Sequence, residues 1–595
     1  MIRGTGTVLA FAVSIVSVLG ALYQGPTQDI LNSTYDFIIV GAGAGGAVMA
    51  SRLSEDPRIR VLLIEAGGSD FKNLNISVPG RSSTLPRSEF DWNFTTTAQV
   101  GLDNRPIVYP RGFVLGGSTA INQMVFCRGT EDDYARWANA TGDDGWSWKK
   151  LLPFILKVDR MTAPADRHNT TGQFNPAIHK NGVVPISVEG FPLEISPRII
   201  NTTRELAGKF PFNLDYNSGD TIGFGWTQNA IHDGHRVTSA TSYLARAFDR
   251  INLDVMVNTR VTKVFPVGIK DGKLVFCGVQ FARTADGPFY SLEAKEEVIL
   301  SAGSLKTPHI LMLSGIGEAA YLESMGIKPI VNLPAVGKNL HDHVYLGNNW
   351  IVNSNNTLDN LGRNSTFAAE ALALWQINGT GPLGLGAASQ FGWLRVPQAP
   401  KFFQSLGIND PSAGSTSAHF ELIPRNAFGS KAIALPAEGD FFSITTAVIS
   451  PTARGNVTLN STDPFDTPLI NPNLLGTSVD LAIMREAVKA ARAFVTAPAW
   501  SDYIISEFGV FANATTDGAL DAYIRSNSDS VDHPVGTVAM GKGADGALDS
   551  HLRVKGTVGL RVVDASAFPF IPSGHTQGPT YILAERAAYL VRTEL

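Results

Sequence analysis

Gly41-x-Gly43-x-x-Gly46 is the spacing a chain uses where its backbone must come close to a pyrophosphate. A run of buried-strand type, Asp36-Phe37-Ile38-Ile39-Val40, feeds into it, and residues 47–53 read as the opening turns of a helix. The glycines permit the tight turn. With Ala44 and Gly45 they let phosphate oxygens reach the N–H groups at the helix N-terminus, where the helix dipole favours negative charge. A second apolar run, residues 61–64, ends on Glu65-Ala66. An acid roughly 20 residues beyond the glycines is placed to hydrogen-bond a ribose hydroxyl. A lone glycine run also occurs in turns that bind nothing; the preceding strand and the distal acid make this one a dinucleotide site. The spacing does not choose between FAD and NAD.

Two further stretches carry reactive types. Gly116-Gly117-Ser118-Thr119-Ala120-Ile121-Asn122 offers a second backbone-lined approach to a phosphate or a ring system. The last tenth of the chain holds Asp532-His533-Pro534-Val535-Gly536-Thr537 and a strand, Leu560-Arg561-Val562-Val563-Asp564, that ends in an acid. Pro572-Ser573-Gly574-His575-Thr576-Gln577 then precedes a closing helix. Other histidines have metal-like spacing, His341-Asp342-His343 and His232/His235, but neither group brings the second cluster a metal site needs. No Gly-x-Ser-x-Gly elbow is present, so serine hydrolysis has no support.

To meet, chemistry at both ends of the chain needs a shared scaffold. A nucleotide unit at one end and a strand–loop–helix at the other predict that both termini build one sheet, with a substrate domain inserted between its pieces. Periodicity predicts helices within 130–160, from 306, over 481–495 and at the C-terminus. Strands are expected at 253–257, 261–264, 273–281, with a hairpin around Asp271-Gly272, and at 298–303. Residues 24–34 read as a disordered lead-in and 160–235 as mostly loop. No internal repeat occurs.

With 595 residues, 44% hydrophobic and 17% charged, the chain exceeds one compact core and calls for two domains or more. A formal net charge of −5 without basic clusters gives no basis for nucleic-acid binding. Arg3 followed by an apolar stretch over 8–22, with Gly20-Ala21 as a cleavage point, reads as a secretory signal peptide over residues 1–20. The alternative, an uncleaved anchor, is disfavoured because the stretch is short of a span of about 20 apolar residues. No later segment is apolar enough to cross a bilayer, and no stable membrane partner is expected. Sequons at Asn32, Asn75, Asn93, Asn139, Asn169, Asn201, Asn355, Asn364, Asn378, Asn456, Asn460 and Asn513 fit a secreted, glycosylated protein. Cys127 and Cys277 allow at most one disulfide, and two buried thiols are an equal reading.

From about Tyr35 to its end the chain resembles the glucose–methanol–choline (GMC) flavoproteins, and among them the fungal aryl-alcohol oxidases. Two blocks carry the resemblance beyond the nucleotide unit. Gly303-Ser304-Leu305-Lys306-Thr307-Pro308-His309-Ile310-Leu311-Met312-Leu313-Ser314-Gly315-Ile316-Gly317 fits the family's second signature, and Val336-Gly337-Lys338-Asn339-Leu340-His341-Asp342-His343 a further block. The resemblance implies an α/β (α+β overall) architecture, a Rossmann-like FAD-binding domain with an inserted antiparallel-sheet substrate domain. Residues 35–347 would carry most of the FAD domain, 348–527 mainly the substrate domain, and 528–595 the return to the FAD domain.

By the same resemblance, His533 and His575 match the paired active-site histidines, Asn122 a position beside the flavin, and Val261 one whose backbone meets adenine. Gly41, Gly43, Ala44, Gly45, Gly46, Glu65, Ala66, Ser118, Asp564 and Gln577 complete the expected FAD contacts. Ile121 stands where covalently flavinylated relatives carry histidine, so the FAD is expected to be non-covalent. Phe113, Gln123 and Asp532 depart from the pattern, the last two where aryl-alcohol oxidases place aromatics.

The implied activity is secreted oxidation of a primary alcohol, aryl or allylic alcohols among them, to the aldehyde. Hydride goes to flavin and O₂ is reduced to hydrogen peroxide. Alternatives are a quinone acceptor, a tailoring step on a secondary metabolite, or a non-redox lyase or cyclase on the same fold. Histidine, with an unperturbed pKa of about 6.5, suits the base. His533 is read as that base and His575 as the group that orients the hydroxyl. Asp532, if beside His533, would favour the imidazolium and raise its titration.

Overall fold

The first nucleotide strand, Tyr35–Val40, and its neighbour Val61–Ile64 are almost wholly apolar because both faces of their sheet are covered. The computed structural model describes residues 22–71 and 73–595; the signal peptide expected at 1–20 lies outside the described residues. An eight-stranded sheet runs Leu22–Tyr23, Leu253–Met256, Val61–Ile64, Tyr35–Val40, Tyr290–Leu300, Gly278–Ala282, Arg260–Phe265, with Leu560–Val562 also paired to Tyr290–Leu300. All pairings around the nucleotide loop are parallel, and only the two outer strands beyond Tyr290–Leu300 turn antiparallel. Both ends of the chain thus enter one sheet. The helices seal the same union: Gln577–Glu594 packs on Ala44–Leu53, where the buried Glu585 accepts from Arg52 at 2.7 Å and from the Tyr243 hydroxyl at 2.7 Å.

The second sheet has seven strands, all paired antiparallel: Ile504–Glu507, Val344–Val352, Phe441–Val448, Phe420–Arg425, Gln390–Leu394 and Gly223–Trp226, with Asp529–Ser530 joined to Val344–Val352. The amphipathic helix Ser478–Phe494 covers it, burying Ile483, Met484, Ala487, Val488 and Ala491 at helical spacing. Trp350, Phe442, Phe494 and Trp500 build a core separate from that of the first sheet. Each fully buried side chain of this size contributes about 1.5–3 kcal/mol by leaving water.

One expectation is corrected. Residues 24–34 are ordered: Leu22–Tyr23 pairs with Leu253–Met256, and Thr27 caps the short helix Gln28–Leu31, which buries Ile30. The 160–235 stretch is mostly loop, as expected, with a few regular elements set into it. It holds the helix Ile195–Glu205, whose Ile195, Ile199, Thr202 and Thr203 form one buried stripe, and it supplies Gly223–Trp226 to the second sheet. The hairpin at Asp271-Gly272 is present, both residues at positive φ as a two-residue turn of this kind requires.

A helical strap packs on the hairpin over residues 231–236. Its main helix, Ser365–Asn378, is N-capped by Asn364 and closed by Gly379. Trp375 anchors it, its indole N–H donating to the Gly234 carbonyl at 2.7 Å and its ring lying 4.7 Å from His235. Gly379 and Gly234 meet so closely that neither has room for a Cβ.

Candidate active site

A cavity of about 940 Å³ is lined by residues of both sheets. Of the residues expected to hold the cofactor, Gly41, Gly43, Ala44, Gly45, Glu65, Ala66, Ser118, Asn122, Val261, Asp564 and Gln577 all line it. Gly46 does not: it lies behind the loop, where a Cβ would run into the Gly41 carbonyl, so its contribution is the closeness of helix and strand. The Glu65 carboxylate accepts the Ala42 N–H at 2.8 Å and the Gly67 N–H at 2.9 Å, which clamps the loop; burial pushes its pKa up to about 7. Asp564 is likewise a clamp, receiving Gly303 N–H, Thr307, and both Ser566 donors.

These residues fit an FAD. The side-chain amide N–H of Gln577 and the hydroxyl of Ser304 line the cavity, buried and without a partner. Such donors are unfavourable unless a ligand meets them. Asn122 donates to Gln577 Oε1 at 2.7 Å, and its own oxygen takes the Met124 N–H and the Arg236 guanidinium. That network fixes the loop carrying Ile121, which also lines the cavity.

His533 and His575 both line the cavity, their ring centroids 4.8 Å apart and their planes near perpendicular at 79°. His533 follows Asp529–Ser530, the short strand beside Val344–Val352. Its position is set by Asp342, whose buried Oδ1 accepts the backbone N–H of both His343 and His533 at 2.8 Å. Tyr109, at 2.5 Å, and Ser530 donate to the other oxygen. The rings of His343 and His533 meet Nδ1 to Nδ1 at 3.0 Å, so one of the two donates there, and Nε2 of His533 makes no hydrogen bond to another described residue. His575 is held from the second sheet: its Nε2 lies 3.1 Å from the fully buried Glu421 carboxylate, and Phe391 tilts against its face at 5.5 Å.

Burial holds His533 well below the ordinary histidine range, and His575, His343, Arg111 and Lys431 push the same way. His343 is pushed down to about 3, again chiefly by burial. Asp532 therefore does not act as the sequence suggested. Its backbone sits at φ 68°, which turns the carboxylate away to Lys431 at 2.6 Å, while its carbonyl accepts from Arg111 at 2.5 Å. The charges facing His533 are positive, and its titration moves down rather than up.

Sequence reasoning missed Glu421, Lys431 and the part His343 plays. A lone acid in the apolar strand Phe420–Arg425 is the one signal that marked Glu421. The remaining departures are accounted for by packing: Phe113 meets Trp92 edge-on at 4.7 Å, and Gln123 accepts from Ser82 at 2.9 Å. Cys127 and Cys277 are free, buried thiols. Among the described residues no group of three metal-ligating side chains converges, and no helix is long and apolar enough to cross a membrane. The sequon asparagines are exposed except Asn456, which is half-buried in the strand Asn456–Thr458.

Comparison with known proteins agrees with this architecture. The N-terminal sequence profile described as GMC oxidoreductase matches residues 35–345 and its C-terminal counterpart residues 451–584. A pyranose dehydrogenase of Agaricus campestris is 38% identical, over 96% of this chain and 95% of its own. An FAD-dependent oxidoreductase from Chaetomium thermophilum superposes with a TM-score of 0.84 at 29% identity, covering 94% of this chain and 99% of that one. A fungal aryl-alcohol oxidase gives a TM-score of 0.81 at 26% identity, covering 95% and 100%. With both halves of the profile matched on a parallel nucleotide sheet and an antiparallel partner, the chain belongs to the GMC oxidoreductase family.

Proposed function

We propose that the protein oxidises a primary alcohol to the aldehyde, with His533 as the base and O₂ as the final acceptor. The observation that carries this is the His533–His575 pair, 4.8 Å apart on the wall of the nucleotide cavity. A neutral imidazole takes the hydroxyl proton, and its depressed pKa keeps the ring uncharged and able to accept at neutral pH. His343, against Nδ1, holds the ring in place. His575, braced by Glu421, orients the hydroxyl and shares the charge that develops there. FAD, when bound, supplies the acceptor for the hydride leaving the alcohol carbon. Its binding is read as non-covalent because Ile121 offers no nucleophile at the linkage position.

Secretion with glycosylation belongs to the same reading, supported by the apolar leader and by the exposure of nearly all the sequons. A second reading keeps the same half-reaction and replaces O₂ by a quinone, favoured by the likeness to a protein named pyranose dehydrogenase. Expressed as a secreted protein, the holoenzyme should bleach with an alcohol under anaerobic conditions and release FAD on acid precipitation. Peroxide formed on admitting air supports O₂ as acceptor. Rapid reoxidation only by a benzoquinone favours the second reading, and a flavin that no alcohol bleaches removes both.

A further inference from the structure

One stretch of the cavity wall serves neither the cofactor set nor the histidines. Glu189 lines the cavity at 6% exposure, beside Val125 and Gly386. One oxygen is held, accepting the Gly386 N–H at 3.1 Å and the side-chain N–H of Asn229 at 3.3 Å. The other, Oε2, is buried without a partner, and so is the Oδ1 of Asn229. Gly386 is part of the arrangement, because a Cβ there would come within 2.8 Å of that Asn229 oxygen. Among the described residues Glu189 makes no ion pair, and burial pushes its pKa up to about 7. A carboxylate fixed through one oxygen while the other meets nothing is an acceptor built for something the protein does not supply.

We propose that Glu189, positioned by Asn229 and Gly386, is a specificity subsite that accepts a hydrogen bond from a second donor group of the substrate, a hydroxyl or an ammonium. That donor would be carried on the same molecule as the alcohol that His533 deprotonates. The inference rests on the alcohol-oxidation reading for its substrate, but not for the existence of the site. An alcohol with no second donor leaves the carboxylate unmet. One that carries a donor at the right distance exchanges its lost water for a buried, charge-assisted bond.

The test uses the holoenzyme and three matched series: short ω-amino alcohols, the corresponding α,ω-diols, and the diols' monomethyl ethers. At the chain length that spans the site, the amino alcohol or the diol should exceed the ether about tenfold or more in kcat/KM, chiefly through KM. A tenfold preference corresponds to about 1.4 kcal/mol. Which donor series responds distinguishes ammonium from hydroxyl. In Glu189→Gln the amide oxygen can still take the Gly386 N–H, while the amide N–H₂ replaces the free acceptor by a donor. The preference should therefore collapse to within about twofold of none.

A parallel titration with n-alkylamines, which cannot be oxidised as alcohols, reads binding through the flavin absorption spectrum in both proteins. If no alcohol bleaches the flavin yet alkylamines bind more weakly to Glu189→Gln, the proposed function fails and the subsite stands. If donors and ethers are oxidised alike and alkylamine binding ignores residue 189, the subsite is overturned and alcohol oxidation stands. Should Glu189→Gln not retain FAD, the comparison of donors with ethers in the wild type decides alone.

Discussion

At the scale of single residues, the histidines bear the heaviest demand. His533→Ala should keep its flavin and lose roughly 10²–10⁴ in the rate of flavin reduction, which is the usual worth of a positioned base. His575→Ala should also be slow, and the double variant should lose far less than the product of the two, because both act on one proton. Stopped-flow reduction of the three variants checks this, and wild-type speed in His533→Ala would remove the mechanism. The depressed pKa adds a sign. A base held neutral below the ordinary histidine range keeps its function as pH falls, so the reductive rate should stay flat from about pH 8 to about pH 6 and decline only in acid. Lys431→Met removes a positive neighbour and leaves Asp532 unpaired, and both changes move the acid limb upward. The glycine loop and Glu65 were expected in the cavity from their spacing along the chain, and the two histidines from the family resemblance. The effect expected of Asp532 required its carboxylate to lie beside His533, and at its positive φ the carboxylate pairs with Lys431 instead. Glu421 and Lys431 lie on other strands and loops, more than 100 residues from the histidines they serve, and no local pattern announces that.

At the scale of elements, the strap around Ser365–Asn378 is the part most easily separated from the rest. Trp375, Ala371, Leu383 and Val78 form a small apolar cluster apart from both main cores, and strap residues Leu361, Pro382 and Leu385 line the cavity. Trp375→Ala removes the anchor and its bond to Gly234. Truncating a buried tryptophan costs about 3–5 kcal/mol, and here the cost falls on a local unit rather than on the fold. Hydrogen exchange in residues 360–385 should speed up markedly while the parallel sheet stays protected, and KM should change more than the rate of flavin reduction. Unchanged exchange in the strap would show that it does not depend on Trp375. The helices at Glu131–Thr141 and Ser478–Phe494 were legible from their apolar period. Ile195–Glu205 was not, because proline and polar residues interrupt its neighbourhood and its buried stripe includes two threonines.

At the scale of the whole molecule, the two-domain plan was legible in outline from chemistry at both ends of the chain, while the exact contribution of each segment was not. Gly223–Trp226 crosses to the antiparallel sheet from within the nucleotide half, an exchange that only three-dimensional pairing reveals. The parallel sheet is completed by Leu560–Val562, which pairs with Tyr290–Leu300 on the edge opposite Tyr35–Val40. That late addition sets a timetable. A ribosome adding about 5–20 residues per second presents Tyr35–Val40 within seconds, but Leu560–Val562, Asp564 and His575 only after something on the order of a minute. During that interval the nucleotide loop exists without the strand and the helix that complete its cavity. A nascent chain halted before residue 550 should fail to retain FAD through gel filtration, and one carried through 595 should hold it. Retention by the halted chain would mean that the loop alone captures the nucleotide. Loading of the cofactor then becomes a late event in the life of each molecule, one that marks the chain as finished.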